Sequence, residues 1–313
     1  MAVAVVILVV GFVLLVKGAD FFVDGAAVVA KKLNVPGFII GMTVVAMGTS
    51  APECAVSITA SLKGSNGMAI SNVIGSNVFN LLIVCGVCAV FAPLAISKKT
   101  LKREFPFSIL AAAVLLAVGA LGMKVGHADG VILLAMFVFF LVWMVMSARK
   151  AMRSGEKIES EDIKELSNLR CFLYIVCGAA AIVCGGQMVV NSAETIALGL
   201  GMSETLVGLT VCSVGTSLPE LVTSVAASRK NQADMALGNV IGSNIFNILL
   251  VGGTASAISP IAVTGENLID LVFLIAISAY VMLLVRKKQE LRRVGGISMV
   301  ALYAVYMVYI CVR

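Results

Sequence analysis

The sequence repeats itself at a fixed offset of 167 positions. Gly11 falls on Gly178, Gly18 on Gly185, Gly41 on Gly208, Thr43 on Thr210 and Pro93 on Pro260, with no gap between those limits. The match is densest in 48–80 against 215–247. There 19 of 33 positions are identical, and GTSAPE…SNVIGSNVFN lies over GTSLPE…GNVIGSNIFN. Agreement of this density marks an internal duplication, so the second half must repeat the fold of the first.

Composition sets the solvent for that fold. Hydrophobic residues make up 60% of the 313 and charged ones only 13%, with a mean hydropathy of +1.06. No soluble globular composition looks like this. Apolar runs long enough to span a bilayer recur from end to end. They predict an all-α membrane protein of ten helices, near 2–30, 36–62, 67–92, 105–122, 129–149, 171–198, 203–228, 233–258, 267–285 and 295–311. The first run has no basic segment before it and no clear cleavage site after it, and is expected to be a retained helix rather than a signal peptide.

Five helices separate equivalent positions of the two copies. Five is odd, so the second copy enters the membrane from the opposite face, and two inverted five-helix repeats are expected. The divisions are 1–149 for the first repeat, 150–170 for a cytoplasmic linker and 171–313 for the inverted second repeat. With ten spans, 19 of the 23 Lys and Arg residues fall on one side and Lys63, Lys124 and Arg313 on the other. That bias places both termini outside and the linker in the cytoplasm. It also accounts for the net charge of +6 without a nucleic-acid partner.

The duplicated polar residues sit where apolar ones are expected. Thr49 and Glu53 are four apart on one helical face, with Ser50 one step round; Thr216, Ser217 and Glu220 repeat them. Pro52 and Pro219 should kink or break their helices and free carbonyls near Ala46–Gly48 and Ser213–Gly215. Helices 3 and 8 add Ser76 with Asn80 and Ser243 with Asn247, each pair again four apart. Every donor is a hard oxygen or an amide, and no His or Cys belongs to the set. Such chemistry suits Ca2+, which takes about 6–8 oxygens, or Na+, and argues against zinc or copper. A carboxylate inside a membrane helix costs roughly 2.5–3.5 kcal/mol on insertion scales. Two ionised glutamates carry a charge that matches one Ca2+.

These repeats resemble the α-repeats of the sodium/calcium exchanger family, within the cation/calcium antiporters. The resemblance rests on GTSxPE in helices 2 and 7 and GSNxFN in helices 3 and 8, and covers essentially the whole chain. It implies a multi-pass cell-membrane antiporter that exchanges Ca2+ for Na+ by alternating access. It implies no enzyme activity, no cofactor and no obligatory protein partner beyond the lipid bilayer. The family's ion ligands map onto Thr49, Ser50, Glu53, Ser76 and Asn80, onto Thr216, Ser217, Glu220, Ser243 and Asn247, and onto the backbone carbonyls of Ala46 and Ser213. Some members carry an Asp where this chain has Asn247, so fewer negative charges should disfavour an extra co-bound cation such as K+. An H+-coupled Ca2+ exchanger is the alternative, with Glu53 and Glu220 carrying protons. A cation channel needs no alternating gates, and an intramembrane hydrolase lacks a His or Lys beside Ser50 or Ser217.

Other polar residues are not duplicated. Lys17, Asp20 and Asp24 share the first helix, and Lys17 and Asp20 are spaced to pair. Glu194 is expected at the rim and the sole histidine, His127, in an outer loop. Cys85 and Cys88 form CGVC inside an apolar helix and are expected to be packing residues.

Overall fold

The structure, a computed structural model, describes residues 2–64, 66–154, 163, 166–201, 213–286 and 288–312. It is helical throughout apart from four two-residue strands. The helices are α1 (Ala2–Leu33), α2 (Gly37–Thr49), α3 (Ala51–Leu62), α4 (Gly67–Phe91), α5 (Lys98–Gly122), α6 (His127–Arg153), α7 (Asn168–Gly199), α8 (Ser213–Gly215), α9 (Leu218–Arg229), α10 (Ala233–Ile258), α11 (Gly265–Arg286) and α12 (Arg293–Val312). Among the described residues eight are long and apolar enough to cross a bilayer. Counted as one span, the pair α2–α3, bent by 48°, would bring the number to nine. The expected span 203–228 is described only from Ser213 onward; its earlier part, with Gly208 and Thr210, lies outside the described residues, as does most of the linker.

The helices divide into a centre and a periphery. α4 and α10 are mostly buried, whereas α1, α5, α6, α7 and α12 leave most of their surface exposed. Val13, Leu121, Phe139, Leu283 and Val305 stand on that outer surface, which in water would be a large apolar patch and in lipid is the expected one. The two central helices meet at repeat-equivalent residues, where Asn244 Nδ2 donates to the Asn77 carbonyl at 3.4 Å. α1 and α7 form the closest peripheral pair. Gly11 and Gly18 on one face Gly185 and Gly178 on the other, and a Cβ on Gly18 would stand 2.9 Å from the Gly178 carbonyl oxygen. Small residues permit this approach because lipid supplies no hydrophobic drive between helices, leaving close packing to hold them.

The strands join the halves. β1 (Leu94–Ala95) pairs antiparallel with β4 (Glu290–Leu291), and β2 (Lys124–Val125) with β3 (Ile261–Ala262). Each pair takes one strand from each half of the sequence. The 167-residue shift exchanges the two pairs, with registers that differ by one residue.

Among the described residues three helical segments widen to π geometry: Gly41–Val45 in α2, Asn80–Val84 in α4 and Phe246–Gly252 in α10. An i→i+5 turn displaces the side chains that follow it and is common at functional sites. Nothing in the periodicity of the sequence announced these turns.

Asp20 does not turn to Lys17. Lys230, just past α9, reaches α1 instead, with its Nζ 2.7 Å from Asp24 Oδ1 and 3.5 Å from Asp20 Oδ1. The same ammonium donates to the Asp20 carbonyl at 2.7 Å. A residue remote in sequence but close in space outcompetes the local partner. Cys85 and Cys88 are buried free thiols among apolar side chains. His127 Nδ1 lies 2.8 Å from the Ala257 carbonyl.

Candidate cation site

Both acidic motifs end inside the protein at helix starts. Pro52 stands in the first turn of α3 and Pro219 in the first turn of α9, where a missing N–H costs nothing. The chain therefore breaks just before each proline, at Ser50 and at Thr216–Ser217. Each break puts a glutamate in the first turn of a new helix, Glu53 in α3 and Glu220 in α9, at the positive end of the helix dipole. Both carboxylates are fully buried.

Each carboxylate is held by a hydroxyl from the other half. Ser50 Oγ donates to Glu220 Oε1 at 2.9 Å, and Ser217 Oγ donates to Glu53 Oε1 at 3.1 Å. Ser243 Oγ adds a longer contact to Glu220 Oε1 at 3.4 Å. The ion pairs of Lys230 and of Arg292 involve neither Glu53 nor Glu220. Several polar atoms of the cluster are buried with no protein partner: Oε2 of Glu53 and of Glu220, Oγ of Ser76, and both amide atoms of Asn80 and of Asn247. The π segment that begins at Asn80 packs on α9, and the segment holding Asn247 packs on α3. The amide of one repeat thus lies on a segment packed against the glutamate helix of the other, whereas Ser243 reaches the glutamate of its own repeat.

This arrangement has a definite polarity. The hydroxyl protons of Ser50 and Ser217 are committed to carboxylates, so their oxygens present lone pairs only. The partnerless oxygens of Glu53, Glu220, Asn80 and Asn247 are acceptors too, while the Ser76 hydroxyl can either donate or accept and the two amide NH2 groups are donors. Buried acceptors without donors are costly, and a hard cation satisfies several at once. Among the described residues no three His, Cys, Asp or Glu gather at one point, so the donor set is two carboxylates with hydroxyls and amides.

One expected feature differs. The Ala46 carbonyl is not freed by the break: Ser50 N–H donates to it at 3.0 Å and Thr49 Oγ1 approaches it at 3.4 Å. Pro52 removes the i+4 donor of Gly48, two residues later, and leaves that of Ala46 in place. In the second half Ser217 N–H donates to the Val214 carbonyl at 3.2 Å. Ser213 opens α8 at the edge of the described residues.

Two residues escaped the sequence reading. Asn72 Nδ2 donates to Ser57 Oγ at 2.9 Å and to the Glu53 carbonyl at 3.4 Å, while its Oδ1 accepts from Thr216 Oγ1 at 3.4 Å. Asn239 repeats the pattern with Ser224 Oγ at 2.9 Å, the Glu220 carbonyl at 3.5 Å and Thr49 Oγ1 at 3.1 Å. The signal was present: Asn72, Ser76 and Asn80 lie four apart in turn, as do Asn239, Ser243 and Asn247, and all are duplicated.

A family model described as sodium/calcium exchanger protein matches residues 3–146 and 171–312. The chain belongs to the sodium/calcium exchanger family. It is 33% identical over 345 residues to the sodium/calcium exchanger MaX1 of Methanosarcina acetivorans, with 96% of this chain and 97% of that protein covered. It is 37% identical over 265 residues to the inner membrane protein YrbG of Escherichia coli, covering 83% of this chain and 81% of that one. Its fold matches a structure of the sodium-calcium exchanger NCX_Mj soaked with Na+ and Sr2+, with a TM-score of 0.86, 32% identity and 98% of each chain covered. As a member of this exchanger family it is a multi-pass membrane transporter and not an enzyme.

Proposed function

We propose that this exchanger moves Ca2+ in one direction and Na+ in the other across a cell membrane, by alternating access to the cluster around Glu53 and Glu220. The observation that carries the reading is the reciprocal pair of bonds, Ser50 to Glu220 and Ser217 to Glu53. A cation held there is bound by both halves at once. The ligands are Thr49, Ser50, Glu53, Ser76 and Asn80, with Thr216, Ser217, Glu220, Ser243 and Asn247; the Ser213 carbonyl and the second lone pair of the Ala46 carbonyl, which already accepts from Ser50 N–H, complete the set. Two carboxylates of charge −1 balance one Ca2+, and the same hydroxyls and amides suit Na+.

The reading includes two inverted five-helix repeats, 1–149 and 171–313, joined by a cytoplasmic linker at 150–170, with both termini outside. The contact of equivalent residues Asn77 and Asn244 and the exchange of strand pairs under the 167-residue shift support it. An inverted pair presents the same site to either side by moving one part against the other.

The test is 45Ca2+ uptake by purified protein in liposomes loaded with Na+ and diluted into Na+-free buffer. Uptake that collapses when the Na+ gradient is abolished, and that an imposed pH gradient alone does not restore, is expected. Uptake driven by the pH gradient alone would reject Na+ coupling in favour of H+ exchange.

A further inference from the structure

We infer that Asn72 and Asn239 are positioning residues that set cation affinity by turning the hydroxyls of Thr216 and Thr49 into acceptors. This rests on the proposed cation site. The orientation of each amide is fixed by its surroundings. A backbone carbonyl receives only a donor, so the Asn72 atom that faces the Glu53 carbonyl is the nitrogen, and the same holds for Asn239 at the Glu220 carbonyl. Each NH2 group also reaches a serine four residues beyond that glutamate, Ser57 or Ser224, at 2.9 Å. The amide oxygen then has one direction left, toward the threonine of the opposite half.

That oxygen captures the threonine's proton. Thr216 donates to Asn72 Oδ1 at 3.4 Å, and Thr49 donates to Asn239 Oδ1 at 3.1 Å, closer than the Ala46 carbonyl at 3.4 Å, with the Glu220 carboxylate a further acceptor beside it. A hydroxyl has one proton. Once it is committed, the oxygen offers only lone pairs, which is what a cation requires. With Ser50 and Ser217 already committed to carboxylates, all four hydroxyls of the two motifs are set as acceptors.

Six bonds, three around each glutamate, close two circuits. Glu53 is gripped at its carboxylate by Ser217 and at its carbonyl by Asn72, which holds the adjacent Thr216. Glu220 is gripped by Ser50 and by Asn239, which holds Thr49. Each asparagine therefore acts on the threonine of the other half and not on that of its own.

Two thermodynamic cycles test this, read by calorimetric Ca2+ titration of detergent-purified protein and by 45Ca2+ uptake in liposomes. Asn72→Ala and Thr216→Val are each expected to weaken Ca2+ binding about tenfold, the scale of one hydrogen bond to a charged site. The double variant should be no weaker than either single one. Asn72→Ala combined with Thr49→Val should instead multiply the two losses. The mirror cycle of Asn239→Ala with Thr49→Val should be coupled, and with Thr216→Val multiplicative. Uptake at saturating Ca2+ should change less than the half-saturating concentration. Multiplicative losses within Asn72–Thr216 and Asn239–Thr49, or equal coupling of each asparagine to both threonines, would overturn the inference, since a general packing role predicts either. If one asparagine variant does not yield monodisperse protein, the mirror cycle decides. Wild-type protein that binds no Ca2+ would overturn both this inference and the proposed function, whereas wild-type binding with multiplicative cycles would overturn this inference alone.

Discussion

Ser50 and Glu220, 170 positions apart in sequence, share a hydrogen bond of 2.9 Å inside the protein, and Ser217 and Glu53 repeat it at 3.1 Å. Neither half of the duplicated sequence therefore completes its own acidic site. Each glutamate depends on a hydroxyl that the other copy supplies.

Removing one charge should remove transport. Glu53→Gln and Glu220→Gln keep the size and one oxygen of the side chain, so the fold should persist while Ca2+ uptake falls to background in each. Size-exclusion profile and thermal midpoint check the fold, and 45Ca2+ flux checks the loss. Near-normal flux in either variant would remove that residue from the site.

Adding one charge should strengthen binding. Asn247 is buried with both amide atoms unpartnered, on a segment packed against the helix of Glu53. Asn247→Asp should tighten Ca2+ binding about tenfold and slow its release, because charges in a low-dielectric site interact strongly. Calorimetric titration measures the first and isotope washout the second. Unchanged binding would place Asn247 away from the ion.

The α1–α7 contact should tolerate no side chain. A Cβ on Gly18 would lie 2.8 Å from Ala181 Cβ and 2.9 Å from the Gly178 carbonyl. Gly18→Leu should destabilise the protein by about 1–3 kcal/mol through overpacking, seen as a lower thermal midpoint in detergent. A variant as stable as wild type would show that the two helices separate freely.

The Lys230 ion pairs should matter little to stability. The lysine and both aspartates are partly exposed, and such pairs contribute under about 1 kcal/mol. Lys230→Met should leave the thermal midpoint within a few degrees of wild type at low salt. A large drop would show the cluster to be far better shielded from water than its exposure suggests.

Much of the site was legible because duplication exposes it twice. Gly-Thr-Ser-x-Pro-Glu at two positions marked the two breaks, and the prolines fixed where the helices restart. The i, i+4 rule placed Ser76 with Asn80 and Ser243 with Asn247. It applied equally to Asn72 and Asn239, but their role depends on which segment of the other half lies opposite, and a local rule carries no such information. The Ala46 carbonyl keeps its helical donor, against expectation, because a proline frees the carbonyl four residues before it and Ala46 lies six before Pro52. Lys230 was missed as the partner of Asp20 and Asp24 for the reason Asn72 was: the contact is tertiary. The π segments of α2, α4 and α10 leave no mark on hydrophobic period.

The paired strands have a consequence for biosynthesis. β1 leaves the ribosome before its mate, β4, which is made only when Glu290 and Leu291 follow in the second copy of the repeat. The first half must wait, inserted but unclasped, until most of the second has been made. Two separately synthesised fragments cut within the linker should therefore find each other and assemble, while either fragment alone should remain incomplete and be degraded.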